Sequence, residues 1–359
     1  MRFSMKYSLL VGIFASILFF YPEDALAATL FPGDIVAAIG DGTLQVYTPF
    51  GAKVAKLHTG VGGFTTGMAT DRSGDLYVTN FSAGSVSEFN ADGILLGAVA
   101  SGYANPESIV FNRAGQAYVG DAGDNVIHAI GGPDFKVAVQ NRGADWIDLA
   151  SNQKTFYYTS EGDEILRYNI SKGQLKPFTV NLPGQFAYQV AILRNGEVLV
   201  ADQNFDLLLN KKGMIVTTYN LNDSGMSSIS VTPNGQDFWT GSFRTGLLYE
   251  VNIASGDVLR TINTHSGSLY GIAVYGARTA GGGVPEPSLW LTFIVGIGAT
   301  GASLRTRRRL TDRKIRKQAG EELSARLNPY LAIGALDVGA DGQDRLAEMI
   351  SDIPAGMPA

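Results

Sequence analysis

The side chains best suited to chemistry are few in this chain and widely spread. None of its 359 residues is Cys, which removes a disulfide scaffold, a thiolate zinc site and a Cys nucleophile together. The three histidines, His58, His128 and His265, share no metal-ligand spacing, and each reads as a surface or turn residue. His265 is the one closest to a segment where a lyase-type general base would have to stand. Gly267-Ser268-Leu269-Tyr270-Gly271 imitates only the ends of a nucleophile elbow. Asp202-x-Asn204-x-Asp206 opens like a calcium-binding helix–loop–helix loop. Leu207, however, stands where that loop needs Gly, and Gly213 where it needs the closing Glu. Gly296-Ile297-Gly298-Ala299-Thr300-Gly301 matches the dinucleotide fingerprint, but it lies inside an apolar run with no βαβ strand before it. Any site must therefore be assembled by the fold from separate segments.

A repeat supplies that fold. Turns open at residues 33, 74, 115, 154, 196 and 235, at successive spacings of 41, 41, 39, 42 and 39. Strands such as Leu76-Tyr77-Val78, Ala117-Tyr118-Val119 and Val198-Leu199-Val200 follow these turns. A second turn recurs in phase at Gly51, Gly93, Gly173, Gly213 and Gly256, with Gly131-Gly132-Pro133-Asp134 in the remaining slot. Val86-Ser87-Glu88-Phe89-Asn90 and Ile165-Leu166-Arg167-Tyr168-Asn169 show the period-two alternation of half-buried strands. Four short strands per repeat of this length make a β-propeller blade, and six phases make six blades. The first phase lacks an inner strand, which appears at the far end as Tyr270-Gly271-Ile272-Ala273-Val274-Tyr275. A ring closed by its two ends, with no long free sheet edge, is expected rather than an open solenoid. Gly74 is expected to need a backbone conformation that Val could not adopt.

Composition agrees with an all-β chain. Charged residues are 17% and Gly numbers 44, against disorder or coiled coil. Residues 28–284 hold 16 Lys/Arg and 22 Asp/Glu, so the propeller is mildly acidic. That disfavours nucleic acid and other polyanions, and suits neutral sugars, small molecules or protein partners.

Propeller ligands sit at the mouth of the central channel, among the loops before each inner strand and between the second and third strands. The inner strands are expected to begin near Thr66, Glu107, Asp145-Trp146, Tyr188-Gln189, Ser227-Ser228 and Tyr270. Aromatic residues near this mouth (Tyr103, Trp146, Tyr188, Phe205, Phe243 and Tyr270, with Phe64 and Phe186) suit stacking on sugar faces. Packing between blades is the competing role for each ring.

Tyr77-Val78-Thr79-Asn80 reproduces the signature of the YVTN propeller repeats, and the blades are similar to NHL and SMP-30-like propellers. The SMP-30-like resemblance implies a divalent cation such as calcium in the channel, serving a metal-dependent hydrolase or lactonase. By position in the repeat its ligands would be Glu107, Asp121, Asp145 and Asp202. An Asp ending a strand also caps the following turn, so both roles stay open for these carboxylates.

Both ends carry addresses. Met1-Arg2-Phe3-Ser4-Met5-Lys6, an apolar run from Tyr7 to Tyr21 and Asp24-Ala25-Leu26-Ala27-Ala28 together read as a signal peptide cut after Ala27. A second apolar run, residues 289–304, spans about 24 Å as a helix, a marginal inner-membrane span with its Arg-rich end in the cytoplasm. Val284-Pro285-Glu286-Pro287, that run, and Arg305, Arg307, Arg308 and Arg309 resemble the PEP-CTERM sorting signal of Gram-negative, exopolysaccharide-producing bacteria. The resemblance implies an exosortase-type processing enzyme as partner and the cell surface or extracellular matrix as destination. It differs from the usual pattern in that some 50 residues follow Arg309. The expected organisation is a signal peptide (1–27), a six-bladed propeller (28–278), a linker with sorting motif, membrane segment and Arg cluster (279–310), and a tail (311–359). The expected role is a non-enzymatic binding module for a glycan, small molecule or protein, with the metal-dependent hydrolase or lactonase at the channel mouth as alternative and a lyase using His265 after it.

Overall fold

The computed structural model of the chain describes residues 29–138, 141–267 and 269–277. They form six sheets of four antiparallel strands each, in the order of six propeller blades. Blade 1 is split. Its inner strand is Gly271–Val274, paired with Ile35–Ala38 in the register Ile35↔Val274, and Thr43–Tyr47 and Lys53–His58 lie outside it. The other inner strands are Met68–Thr70, Pro106–Phe111, Ile147–Leu149, Ala187–Ile192 and Met226–Val231. The ring expected from the displaced first strand is therefore closed, and an open solenoid is ruled out.

Burial follows each strand's place in its blade. Ile35–Ala38 is buried at every position, because a middle strand is covered by neighbouring blades on both faces. The outermost strand of blade 2, Leu95–Ser101, alternates only between exposed and half-buried. Apolar clusters fill the wedges between blades: Val36, Leu44 and Val46 of blade 1 pack with Leu76, Val78 and Phe89 of blade 2.

Hydrogen bonds stitch the inner strands into a belt. Ser108 Oγ donates to the Asp145 carbonyl and accepts from the Ile147 amide, each at 3.0 Å. Asp148 Oδ2 accepts from Ile192 N–H at 2.6 Å, Gln189 Oε1 from Ile229 N–H at 2.7 Å, and Ser230 Oγ from Val274 N–H at 2.8 Å. These side chains satisfy N–H donors on the free inner edge of each sheet, where no further strand is present to pair with them. The remaining channel space is a cavity of ≈ 100 Å³ lined by all six inner strands, among them Thr70, Phe111, Asp148, Gln189, Ser230 and Ala273.

The segments expected to be a signal peptide (1–27), a sorting motif (Val284 to Pro287) and a membrane run (289–304), with Arg305 to Arg309 and the tail (311–359), all lie outside the described residues. Among the described residues, no helix is long and apolar enough to cross a membrane.

Candidate binding site at the channel mouth

Six equivalent residues stand where the inner strands begin: Tyr270, Thr66, Glu107, Asp145, Tyr188 and Ser227, one from each blade in ring order. Three are bulge residues. Pairing skips Glu107 between Pro106 and Ser108, Tyr188 between Ala187 and Gln189, and Ser227 between Met226 and Ser228. In the other blades the same place is marked by single backbone bonds, from Tyr270 N–H to Ala38, from Thr66 N–H to Thr79 and from Asp145 N–H to Thr159. A bulge re-aims the side chain it carries, so the repeat sets one unpaired position per blade at the same end of the channel.

The acidic members of this ring both hold their protons more tightly than a free carboxyl. Burial raises the Glu107 carboxyl to about 8; Arg142 opposes that shift, while Glu161 and Asp121 add to it. Burial likewise lifts Asp145 well above the carboxylate range, with the charges of Glu107 and Glu161 adding to it. Asp145 Oδ1 is buried without a hydrogen-bond partner. Arg142 pairs with Glu161 at 3.2 Å and lies 5.8 Å from the centre of the Phe81 ring, closing one side of the mouth with a fixed cation.

Aromatic rings occupy the other sides. Phe186 stacks near Tyr188 at 6.5 Å, and Tyr188 meets Phe243 edge-on at 5.8 Å, with Arg244 5.7 Å from the Phe243 ring. Phe64 sits 4.4 Å from Tyr270, ring centre to ring centre. Phe64 and Phe186 remain 43% and 42% exposed, a state that packing between blades does not account for.

Other sequence candidates are placed differently. Trp146 is buried and packs with Ile165, Phe178 and Leu182, and Phe205 lies half-buried against the same cluster. Tyr103 packs on the His128 ring at 5.0 Å. Asp121 accepts from Ala104 and Asn105 N–H at 2.8 Å and from Gly123 N–H at 2.7 Å, and Asp202 accepts from Gly184 and Phe186 N–H. Both therefore clamp the loop entering their blade, and Asp121 alone also caps the turn that follows it, through Gly123 N–H. Of the four carboxylates, only Glu107 and Asp145 stand in the ring of six. His265 is exposed in a turn with φ +54°, its backbone N–H bonded to Asn263.

One group escaped the sequence reading. His128 lies 3.1 Å from Asp124 and 3.8 Å from Asp121 through Nε2, and 3.1 Å from Asp134 through Nδ1. His128 pairs with Val119, so its side chain shares a face with Asp121 two residues on. The spacing Asp-x2-Asp-x3-His across a tight hairpin was the available signal.

No protein-family model and no curated protein matches the chain. Solved structures do share its fold. A crystal structure of a nidogen/laminin complex aligns with a TM-score of 0.58 at 14% identity, covering 67% of this chain and 98% of that one. A protein of unknown function from Bacteroides caccae aligns at 0.53 and 17% identity, covering 68% and 98%. The WD40 β-propeller domain of Doa1 aligns at 0.53 and 15% identity, covering 67% and 81%. At these identities the likeness concerns the fold alone: the chain carries a β-propeller, an architecture used by many binding and scaffold proteins.

Proposed function

We propose that this chain is an exported binding protein whose channel mouth takes a neutral carbohydrate of the cell surface or surrounding matrix. The observation that carries the reading is the ring of six, with carboxyl, hydroxyl and phenol groups, bordered by half-exposed rings. Glu107, its carboxyl raised to about 8, can donate to a sugar hydroxyl as well as accept, while Tyr188, Phe186 and Phe243 offer apolar faces for pyranose C–H groups. Export, anchoring through residues 289–304 and processing by an exosortase-type enzyme at Val284-Pro285-Glu286-Pro287 belong to the same proposal. Support for them comes from the basic-then-apolar N-terminus and from the ordered motif, apolar run and arginines at the other end. The YVTN- and NHL-like character of the blades supports the family side of this reading.

The metal-dependent hydrolase has less support, since Asp121 and Asp202 stand outside the ring of six that holds Glu107 and Asp145, and both Asp202 oxygens take backbone donors of one loop. The test is calorimetry of the purified protein against neutral exopolysaccharide fragments. Binding that falls at least tenfold in Tyr188→Ala and Phe243→Ala, with melting temperatures kept, supports the proposal. Equal affinity in wild type and both variants would overturn it, and a substrate hydrolysed only with added calcium would favour the enzyme.

A further inference from the structure

We infer that Asp121, Asp124 and His128 form a binding site for a divalent transition metal of the zinc type, with Asp134 as the group that orients His128. The inference does not rest on the carbohydrate reading, and it uses none of the six mouth residues. One ligand atom from each of the three lies within 4.8 Å of the others. Ligands held at about 2.1 Å around a tetrahedral ion stand about 3.4 Å apart, so the 3.8 and 3.1 Å separations from Nε2 need little adjustment.

The surroundings prepare each ligand. Asp134 Oδ1 is 3.1 Å from Nδ1 and can accept its N–H, so that an ion taking the place of any proton on Nε2 would meet that nitrogen's lone pair between Asp121 and Asp124. Asp121 is fully buried and fixed by three backbone donors, so its Oδ2 is held in place. The Tyr103 ring packs on the imidazole. Imidazole with carboxylate oxygens suits zinc-type ions, and three protein ligands leave a coordination position for water or a further donor. The His128 side chain is 16% exposed and that of Asp124 36%, so an ion can enter from solvent. Once bound, it would join the strand end at Asp121, the turn at Asp124 and the returning strand at His128. Through the Asp121 carboxylate it would also secure the Ala104–Asn105 backbone beside Tyr103.

The test uses the full chain purified without a histidine tag, stripped by chelator, and titrated with Co²⁺ by visible absorption and with Zn²⁺ by calorimetry. One equivalent is expected to bind. His128→Ala and Asp124→Asn should each weaken binding at least 100-fold, and Asp134→Asn, which leaves every ligand in place, by 10–100-fold. His58→Ala and His265→Ala should leave it unchanged, with circular dichroism confirming that every variant is folded. Binding below one equivalent, or unchanged in His128→Ala, would overturn the proposal. So would a wild-type melting temperature that does not respond to Zn²⁺, since His128 would then serve only as a hydrogen-bond partner of the three carboxylates.

Discussion

The Tyr275 hydroxyl donates a 2.6 Å hydrogen bond to the Gly74 carbonyl, joining residues 201 positions apart where the end of the ring meets blade 2. Gly74 itself turns with φ +91°, and a side-chain carbon there would stand 2.9 Å from that hydroxyl. Tyr275→Phe leaves a buried carbonyl without its donor and should cost about 1–2 kcal/mol. Gly74→Val adds a strained backbone to a collision and should cost more, on the order of 3 kcal/mol. Urea titration of both variants checks the order; a Gly74→Val midpoint equal to wild type would remove the turn from this account.

Asp206 gives the fold a pH dependence. Its carboxyl is fully buried on strand Phe205–Leu209 of blade 5, and burial pushes it up to about 8, with the Thr240 hydroxyl of blade 6 opposing that shift and the charge of Asp202 adding to it. Its unfolded value is about 4, so between these limits the folded state holds a proton the unfolded chain releases. The stabilisation is complete below about pH 4 and is lost as pH rises through 8. Glu107, raised to about 8, and Asp145 act in the same direction. Melting temperature should fall by about 5 °C or more from pH 5 to pH 9, and Asp206→Asn should flatten that slope. A melting temperature that rises over the same interval would contradict this protonation state.

Asp202 clamps the loop that enters blade 5. Its two oxygens receive Gly184 N–H at 2.6 Å and Phe186 N–H at 3.2 Å, and a side chain at Gly184 would run into Asp202. Asp202→Asn can accept only one of these donors and turns an amide toward the other. The expected cost is about 1–3 kcal/mol, the same with calcium or with chelator present. A loss that appears only with calcium would return Asp202 to the metal ligands.

The ring was legible in the sequence because propeller blades repeat their punctuation. Gly74, Gly115, Gly196 and Gly235 all have positive φ in the turn after an inner strand. The six residues at the mouth were legible for the same reason, since each opens an inner strand at a fixed place in the repeat. Burial was less so. Trp146 and Tyr188 stand one repeat place apart at the starts of neighbouring inner strands, and only the wedge between blades decides that one ring is buried among Ile165 and Phe178 while the other remains at the mouth. The His128 group was missed because its ligands come from a strand end, a turn and a returning strand. Their nearness depends on the register that sets His128 against Val119.

Glu107 links that electrostatics to ligand binding. With its carboxyl raised to about 8, Glu107 is protonated at neutral pH and can donate to a sugar hydroxyl at the mouth. Raising the pH through 8 removes that donor and sets a negative charge beside Asp145. Affinity for the carbohydrate should therefore hold from pH 6 to 7 and fall about tenfold by pH 9. Glu107→Gln keeps a donor and an acceptor of nearly the same shape but does not titrate, so it should bind at neutral pH within about threefold of wild type and keep that affinity at pH 9. Glu107→Ala separates this from a mere change of shape, because it should bind weakly at every pH. Calorimetry of the three proteins at pH 6, 7 and 9 tests the assignment. A pH 9 loss in Glu107→Gln as large as in wild type would place the titrating group elsewhere in the mouth.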